Sequence, residues 1–175
     1  MKKELAKRIL AGNSRFNVDL VAAHIGSDEL LFGELIELIH NGEPPIPQRA
    51  AWIMTAATDN YPWLILPHLG HILKNINVYS HPGIIRCILR QLSMIDFPEE
   101  LSGNIFDLCY NFLNDQKQPV AIRVHAMQIL YNISEKEPDL KNELILIFED
   151  LCASETSMGI KSRVRKLLGK LNKRY

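Results

Sequence analysis

The sequence has few cysteines and lacks a long apolar run. Its 175 residues contain three cysteines, which lie far apart in apolar stretches: Cys87, Cys109 and Cys152. This pattern is typical of buried free thiols in a reducing compartment, and there is no Cys-x-x-Cys motif. No stretch approaches the run of about 18 apolar residues that a membrane span requires, and the amphipathic start lacks the continuous apolar stretch of a secretory signal. We therefore expect a cytoplasmic protein that does not contact a membrane.

The chain also lacks an excess of charge of either sign. Lys and Arg total 20, and Asp and Glu total 20. A neutral chain has no global attraction for nucleic acid, so a nucleic-acid partner is disfavoured, although a local basic patch would still allow one. There is no glycine-rich phosphate loop and no nucleophile elbow. We expect no cofactor and no catalytic residue.

Helical periodicity is present along the whole chain. Apolar residues recur every three or four positions, and nowhere do they alternate with the period of a strand. In the stripe from Leu30 to Ile39, Ser27-Asp28-Glu29 predicts a capped start and Gly42 a glycine-terminated end. The other predicted helices lie near 2–11, 15–25, 48–58, 62–76, 82–95, 98–114, 119–134, 138–153 and 158–172. Pro67 falls inside one of them and is expected to bend that helix or move its start.

Four of these helices begin alike. The similar stretches are PIPQRAAWIM from Pro45, PGIIRCILRQL from Pro82, PVAIRVHAMQIL from Pro119 and GIKSRVRKLLGKL from Gly159. Their arginines follow one another at intervals of 37, 37 and 40 residues: Arg49, Arg86, Arg123 and Arg163. The helices that come second in each repeat open with Pro62, Pro98 and Pro138. A repeat of this length with two helices predicts a stacked solenoid, because one helix pair cannot bury its own apolar face.

These proline-opened, arginine-led helix pairs resemble the HEAT and armadillo-like helical-repeat superfamily. The resemblance implies an all-α fold, a right-handed superhelix of about four two-helix repeats. It also implies a non-catalytic scaffold or adaptor that binds a protein or peptide on a concave face lined by the second helices. We expect one repeat domain with capping helices at 1–42, repeats at 45–80, 81–117 and 118–157, and a capping helix at 158–175.

The repeated arginines allow two interpretations. They could form a ladder of cations for a phosphate or an acidic peptide. Alternatively, each arginine could lie over the neighbouring repeat and bond to carbonyls or an acid in the adjoining turn. We favour the structural role, because every interface between repeats poses the same packing problem.

The polar stripes of the second helices are the candidate partner contacts. His68, His71 and Lys74 share one helical face. The next second helix carries a similar stripe, formed by Asn104, Asp107, Tyr110, Asn111 and Asn114. Tyr61 and Trp63, at a helix start, could also anchor a partner. Two histidines at this spacing can bind a metal, but no acid or cysteine nearby completes a site, so we expect none.

The C-terminal stretch is basic. From Met158 onward it carries seven cations and no acid: Lys161, Arg163, Arg165, Lys166, Lys170, Lys173 and Arg174. These cations could bind phosphate or an acidic partner. We favour the polar outer face of a capping helix, which a solenoid requires for solubility.

Two enzyme classes are less favoured alternatives. Helical-repeat DNA glycosylases of the alkylpurine type are expected to have a strongly basic concave face, which the neutral charge does not support. A remote alternative is a lyase-related protein, because SETSMGIKSR from Ser154 resembles the Ser-Ser-x-Met-Pro-x-Lys-x-Asn signature of the fumarase and adenylosuccinate lyase superfamily. Met158 and Lys161 match that signature, whereas Gly159 and Arg163 depart from it, and the chain is too short for that superfamily's long helices.

Overall fold

A computed structural model describes residues 2–79 and 81–172, and over these residues the chain is helical without a strand. Ten α-helices lie in this part of the chain: α1 Lys2–Leu10, α2 Arg15–Ile25, α3 Glu29–Asn41, α4 Ile46–Asn60, α5 Leu69–Asn75, α6 Pro82–Leu92, α7 Ser102–Asn114, α8 Val120–Lys136, α9 Lys141–Ser154 and α10 Met158–Leu171. Short 3-10 helices cover Pro62–His68, Ile76–Val78, Glu99–Leu101 and Pro138–Leu140. The all-α prediction is confirmed, whereas the right-handed sense of a superhelix stays a prediction.

Proline determines where one predicted helix breaks. The stretch predicted as a single helix over 62–76 is a 3-10 helix up to His68, and the α-helix begins only at Leu69. Pro67 cannot donate a backbone hydrogen bond, and its ring disfavours a regular α-turn before it. The start of α5 is therefore displaced, as the position of Pro67 predicts.

The ends of α3 are fixed by local chemistry. Asp28 is the N-cap: its carboxylate accepts hydrogen bonds from the N–H groups of Leu30 at 2.9 Å and Leu31 at 3.0 Å. At the other end, the N–H of Gly42 donates to the carbonyl of Leu38 at 3.1 Å. Gly42 has an ordinary φ of −76°, but a Cβ there would lie 2.4 Å from that carbonyl oxygen. Close approach, rather than a left-handed conformation, therefore requires glycine at this end.

The chain divides into two compact units, residues 1–95 and residues 96–175. The division falls inside the predicted repeat 81–117, and the organisation into a single domain with three central repeats stays a prediction. Each unit is built around one long helix that is entered through a Pro-x-x-x-Arg sequence.

In the first unit, α4 is the central helix and packs against α2, α3 and α6. Small side chains cover much of its circumference, so that several helices approach it closely, and Ala50, Ala51, Thr55, Ala56, Ala57 and Thr58 are all buried. The Thr58 hydroxyl donates to the carbonyl of Met54 at 2.7 Å. The buried amide of Gln91 on α6 donates to the carbonyl of Thr55 at 3.3 Å. The buried side chains of Thr58 and Gln91 therefore both bond to carbonyls of α4.

In the second unit, α8 is the central helix and packs against α7 and α10, while α9 packs against α10. Its buried face is formed by larger apolar side chains, among them Ile122, Met127, Ile129, Leu130 and Ile133. Arg123 lies among them, with only 4% of its surface exposed. A buried arginine must be paired, and its partners are described below.

Candidate partner-binding site

The outer face of α7 is the largest of the predicted polar stripes. Asn104, Asp107, Tyr110, Asn111 and Asn114 are all exposed, and Tyr110 shows 40% of its surface. Ile105, Cys109, Phe112 and Leu113 form the buried face of the same helix. No Lys, Arg or Glu occurs in α7. The exposed face therefore consists of short polar side chains around one tyrosine, without the long charged side chains that cover most helix surfaces.

A groove of about 220 Å³ lies beside this face. Its apolar lining comes from Phe106 of α7, Ile133 of α8 and Leu140. Two acids, Asp107 and Glu137, lie in the same lining. The hydroxyl of Ser102 donates to Glu137 at 3.2 Å. The groove thus combines an apolar wall with two carboxylates.

In the first unit, the predicted contacts His71 and Lys74 are exposed, whereas His68 is half-buried. The His68 ring lies 5.7 Å from the ring of Phe32 on α3. Burial is the main cause that lowers the pKa of His68; the neighbouring His71 lowers it further, and Glu37 opposes both. His68 is therefore partly a packing residue.

Two residues that the sequence did not single out complete this cluster. The His71 ring meets the ring of His40 on α3 edge-on at 4.8 Å, and His40 meets Tyr79 edge-on at 6.0 Å. Burial, followed by the charge of Glu37, raises the pKa of Tyr79. His40 lies on α3, and Tyr79 lies beyond the end of α5, so periodicity within the helix that carries His71 could not associate them.

The aromatic pair at the start of the Pro62–His68 helix is partly exposed. The rings of Tyr61 and Trp63 meet edge-on, with centroids 5.4 Å apart. Trp63 shows 50% of its surface. A rigid aromatic edge of this kind can anchor a partner. The anchoring role of this pair stays a prediction.

The four repeat arginines have different environments. Arg123 donates through Nε to the carbonyl of Leu113 at 2.9 Å, and its Nη2 lies 2.7 Å from the Glu155 carboxylate. Arg163 donates to the side-chain oxygen of Gln128, while its own Nε is buried without a hydrogen-bond partner. The structural role predicted for these arginines is thus supported most strongly at Arg123.

In the first unit, the repeat arginines are held more loosely. Arg49 makes only long contacts, 3.4 Å to the carbonyl of Leu10 and 3.5 Å to that of Gly12. Arg86 is exposed. Neither has a carboxylate within 4.0 Å in the described part of the chain. A uniform structural ladder of arginines stays a prediction.

The basic C-terminal helix follows the amphipathic pattern of a cap. Ile160, Val164, Leu167 and Leu171 are buried, while Arg165, Lys166 and Lys170 are exposed. The Lys170 ammonium lies 5.2 Å from the centre of the Tyr131 ring, within the range of a cation–π contact. Lys173 and Arg174, also included in the predicted basic stretch, lie outside the described residues.

Two further properties concern residues 2–79 and 81–172 alone. No three His, Cys, Asp or Glu side chains in these ranges are arranged to hold a metal ion. No helix there is both long enough and apolar enough to cross a membrane.

Stacked helices around α4 and α8, each entered through Pro-x-x-x-Arg, define a helical-repeat protein of the scaffold type. A family model described as HEAT repeat domain matches residues 1–171, and the chain belongs to this family. The predicted resemblance to HEAT-like repeats is therefore confirmed. Comparisons with curated proteins and with solved structures gave no significant match. HEAT repeats typically mediate protein interactions.

Proposed function

We propose that the protein is a non-catalytic scaffold that binds a peptide segment of a partner protein along the exposed face of α7. The observation that carries this proposal is the composition of that face: three asparagines, an aspartate and a central tyrosine, without Lys, Arg or Glu. Interface cores are depleted in Lys and Glu and enriched in aromatic residues, and asparagine supplies adaptable hydrogen bonds. A face that served only for solubility would carry long charged side chains.

The groove beside α7 suggests the chemistry of one partner residue. Phe106, Ile133 and Leu140 can pack against an aliphatic chain, and Asp107 and Glu137 can then receive a positive charge at its end. A lysine or arginine has this combination of an apolar stem and a cationic head. We therefore assign the groove to a basic side chain of the partner.

A selection of displayed peptides on the full chain tests the proposal. We expect enrichment of peptides with a Lys or Arg next to apolar residues. Tyr110→Ala and Asp107→Asn should each lower the affinity for the selected peptide by about tenfold or more, as expected for central interface residues. Replacing the basic residue of the peptide with norleucine should lower the affinity of the peptide by a similar factor, because the apolar stem remains while the charge is lost.

The matched control is Glu149→Gln on α9, an exposed acid outside the proposed face. It should change the affinity by less than about twofold, as surface residues outside a contact do. Equal effects of Asp107→Asn and Glu149→Gln would show that overall charge, not the α7 face, determines binding. Tight, salt-sensitive binding of DNA or RNA with no peptide enriched would favour the nucleic-acid alternative.

A further inference from the structure

A second pocket lies in the first unit, near the N-terminal ends of α4 and α6. It encloses about 150 Å³. Its lining includes Asn13, Gln48, Arg49, Trp52, His81 and Arg86. It therefore brings together two of the repeat arginines, and neither these six residues nor the others that line it include an acid.

The polar lining is rich in hydrogen-bond donors. The two guanidinium groups carry several N–H donors each, and the amides of Asn13 and Gln48 can donate as well. The contacts of Arg49 with the carbonyls of Leu10 and Gly12 are long, at 3.4 and 3.5 Å, and use one of its nitrogen atoms, Nη1. Two guanidinium groups, with no acid among the lining residues, make the pocket complementary to an oxyanion.

His81 adds a donor of defined orientation. Its Nδ1 accepts a hydrogen bond from the N–H of Gly83 at 3.0 Å, so the neutral ring carries its proton on Nε2. Gly83 permits this close approach, because a Cβ at that position would lie 2.8 Å from His81 Nδ1. The ring thus caps the start of α6 and leaves an N–H donor at the same end of that helix.

Cys87 also lines the pocket but does not supply the missing negative charge. Burial raises the pKa of its thiol, and the charge of Arg86, a hydrogen bond with the Arg86 side chain and the charge of Arg90 only partly oppose that effect. The thiol therefore stays neutral at physiological pH. Among the described residues that line the pocket, none supplies an anion to Arg86.

In the second unit, the buried arginine at this repeat position has a carboxylate partner. There, Arg123 is neutralised by the carboxylate of Glu155 at 2.7 Å. Arg49 and Arg86 occupy the corresponding positions in their own Pro-x-x-x-Arg helices but have no carboxylate within 4.0 Å in the described residues. We infer that this pocket binds a compact oxyanion, a carboxylate or a phosphate, which takes the place that Glu155 has at Arg123. The volume suits one such group and is too small for a nucleotide.

Trp52 provides a direct readout. The chain has two tryptophans, so Trp63→Phe leaves Trp52 in the pocket as the single indole fluorophore. Three probes are titrated into this variant: inorganic phosphate, N-acetylphosphoserine amide and N-acetylglutamate amide. We expect saturable changes in Trp52 emission and a higher melting temperature, because a ligand that binds only the native state stabilises it.

The three probes distinguish the source of the oxyanion. A response only to the glutamate derivative assigns the pocket to an acidic side chain, and a response only to the phosphoserine derivative assigns it to a phosphorylated residue. Binding of inorganic phosphate as tightly as the phosphoserine derivative assigns it to the free ion. No saturable response to any probe up to millimolar concentrations would overturn the inference.

Arginine variants test the residues themselves. Arg49→Gln and Arg86→Gln should each lower the affinity for the probe by about tenfold or more, which is the loss expected for a charge-assisted hydrogen bond. Arg90→Gln is the control, because Arg90 lies one turn further along α6 and pairs with Asp59 at 2.9 Å instead of lining the pocket. Arg86 is exposed, so its variants should fold even where Arg49→Gln does not, and an unchanged affinity in Arg86→Gln would refute the site. This pocket and the α7 face lie in different units, so each can fail without the other.

Discussion

The guanidinium of Arg123 lies 2.7 Å from the carboxylate of Glu155, and 5% and 8% of the two side chains are exposed. The same arginine donates to the carbonyl of Leu113 near the end of α7. Glu155 in turn accepts the N–H groups of Thr156 at 2.8 Å and Ser157 at 2.9 Å, just before α10 begins. One residue of α8 thus connects the end of α7 to the turn that leads into α10.

Arg123→Met should destabilise the protein by about 3 kcal/mol or more, because it leaves a largely covered carboxylate and a carbonyl without their partner. The variant keeps an apolar stem of similar length, so lost packing contributes little. The change is measured as the difference in unfolding free energy from urea denaturation, with unfolding followed by circular dichroism.

Arg86→Met is the matched control for this change. Arg86 holds the same repeat position but is exposed and has no carboxylate partner among the described residues, so the cost should stay below about 1 kcal/mol. Similar losses in the two variants would favour a uniform structural ladder of arginines and contradict the different environments described here.

Glu155 should make stability sensitive to acid. Its pKa lies below the ordinary value of 4.5, first because the N–H of Ser157 bonds to the carboxylate and also because of Thr156 and Arg123; desolvation partly opposes them. The unfolded state therefore binds a proton more readily than the native state. The stabilisation that the ionised Glu155 provides is complete above pH 4.5 and is lost as the pH falls through the lower native pKa. The advantage of the wild type over Glu155→Gln should shrink steadily in that window; a constant advantage would contradict the assignment.

His68 should make the stability of the protein depend on pH in a higher range than Glu155 does. Its pKa is lowered from 6.5, mainly by burial, so the unfolded state again binds the proton more readily. The contribution of the neutral ring is complete above pH 6.5 and is lost as pH falls through the lower native value. The stability difference between about pH 7.5 and about pH 5.5 should therefore be smaller in His68→Asn than in the wild type. An equal stability difference in His68→Asn and the wild type would contradict this assignment.

Gly42→Ala should destabilise the protein by about 1–3 kcal/mol, because the added methyl must displace either the carbonyl of Leu38 or the chain that leads into α4. Gly70→Ala in α5 is the comparison, since nothing lies within 4 Å of the added atom. Alanine favours the helical conformation, so that variant should be neutral or slightly more stable. Thermal denaturation of the two variants and the wild type measures these changes in stability.

Much of the fold could be predicted from local sequence patterns. Apolar spacing located the helices, and the Pro-x-x-x-Arg stretches located the starts of the central helices α4 and α8. Pro67 indicated the break before α5 because its effect on the backbone is local. The capped start predicted from Ser27-Asp28-Glu29 is present, and Asp28 is the residue of the three whose side chain accepts the helix N–H groups.

The sites were less predictable because they depend on contacts between helices. The repeat pattern identified Arg49 and Arg123 as equivalent. Only the packing shows that Glu155 neutralises Arg123, whereas no carboxylate of the described residues lies within 4.0 Å of Arg49. The spacing of His68 and His71 predicted a common face, whereas His40 joins them from α3 and Tyr79 from beyond the end of α5. A repeat specifies that a position recurs, but the partner of each copy is set by residues outside the repeated motif.

Site-specific cross-linking from α7 tests the proposed scaffold function most directly. A photoreactive benzoylphenylalanine replaces Tyr110, and the control chain carries it at Leu146, which is 64% exposed on α9. Both chains are irradiated in a lysate of cells that naturally express the protein. We predict a discrete adduct from position 110 that unmodified wild-type chain competes away and that Asp107→Asn chain competes away poorly. Equal adducts from positions 110 and 146, or equal competition by the two chains, would contradict the assignment of the partner to the α7 face.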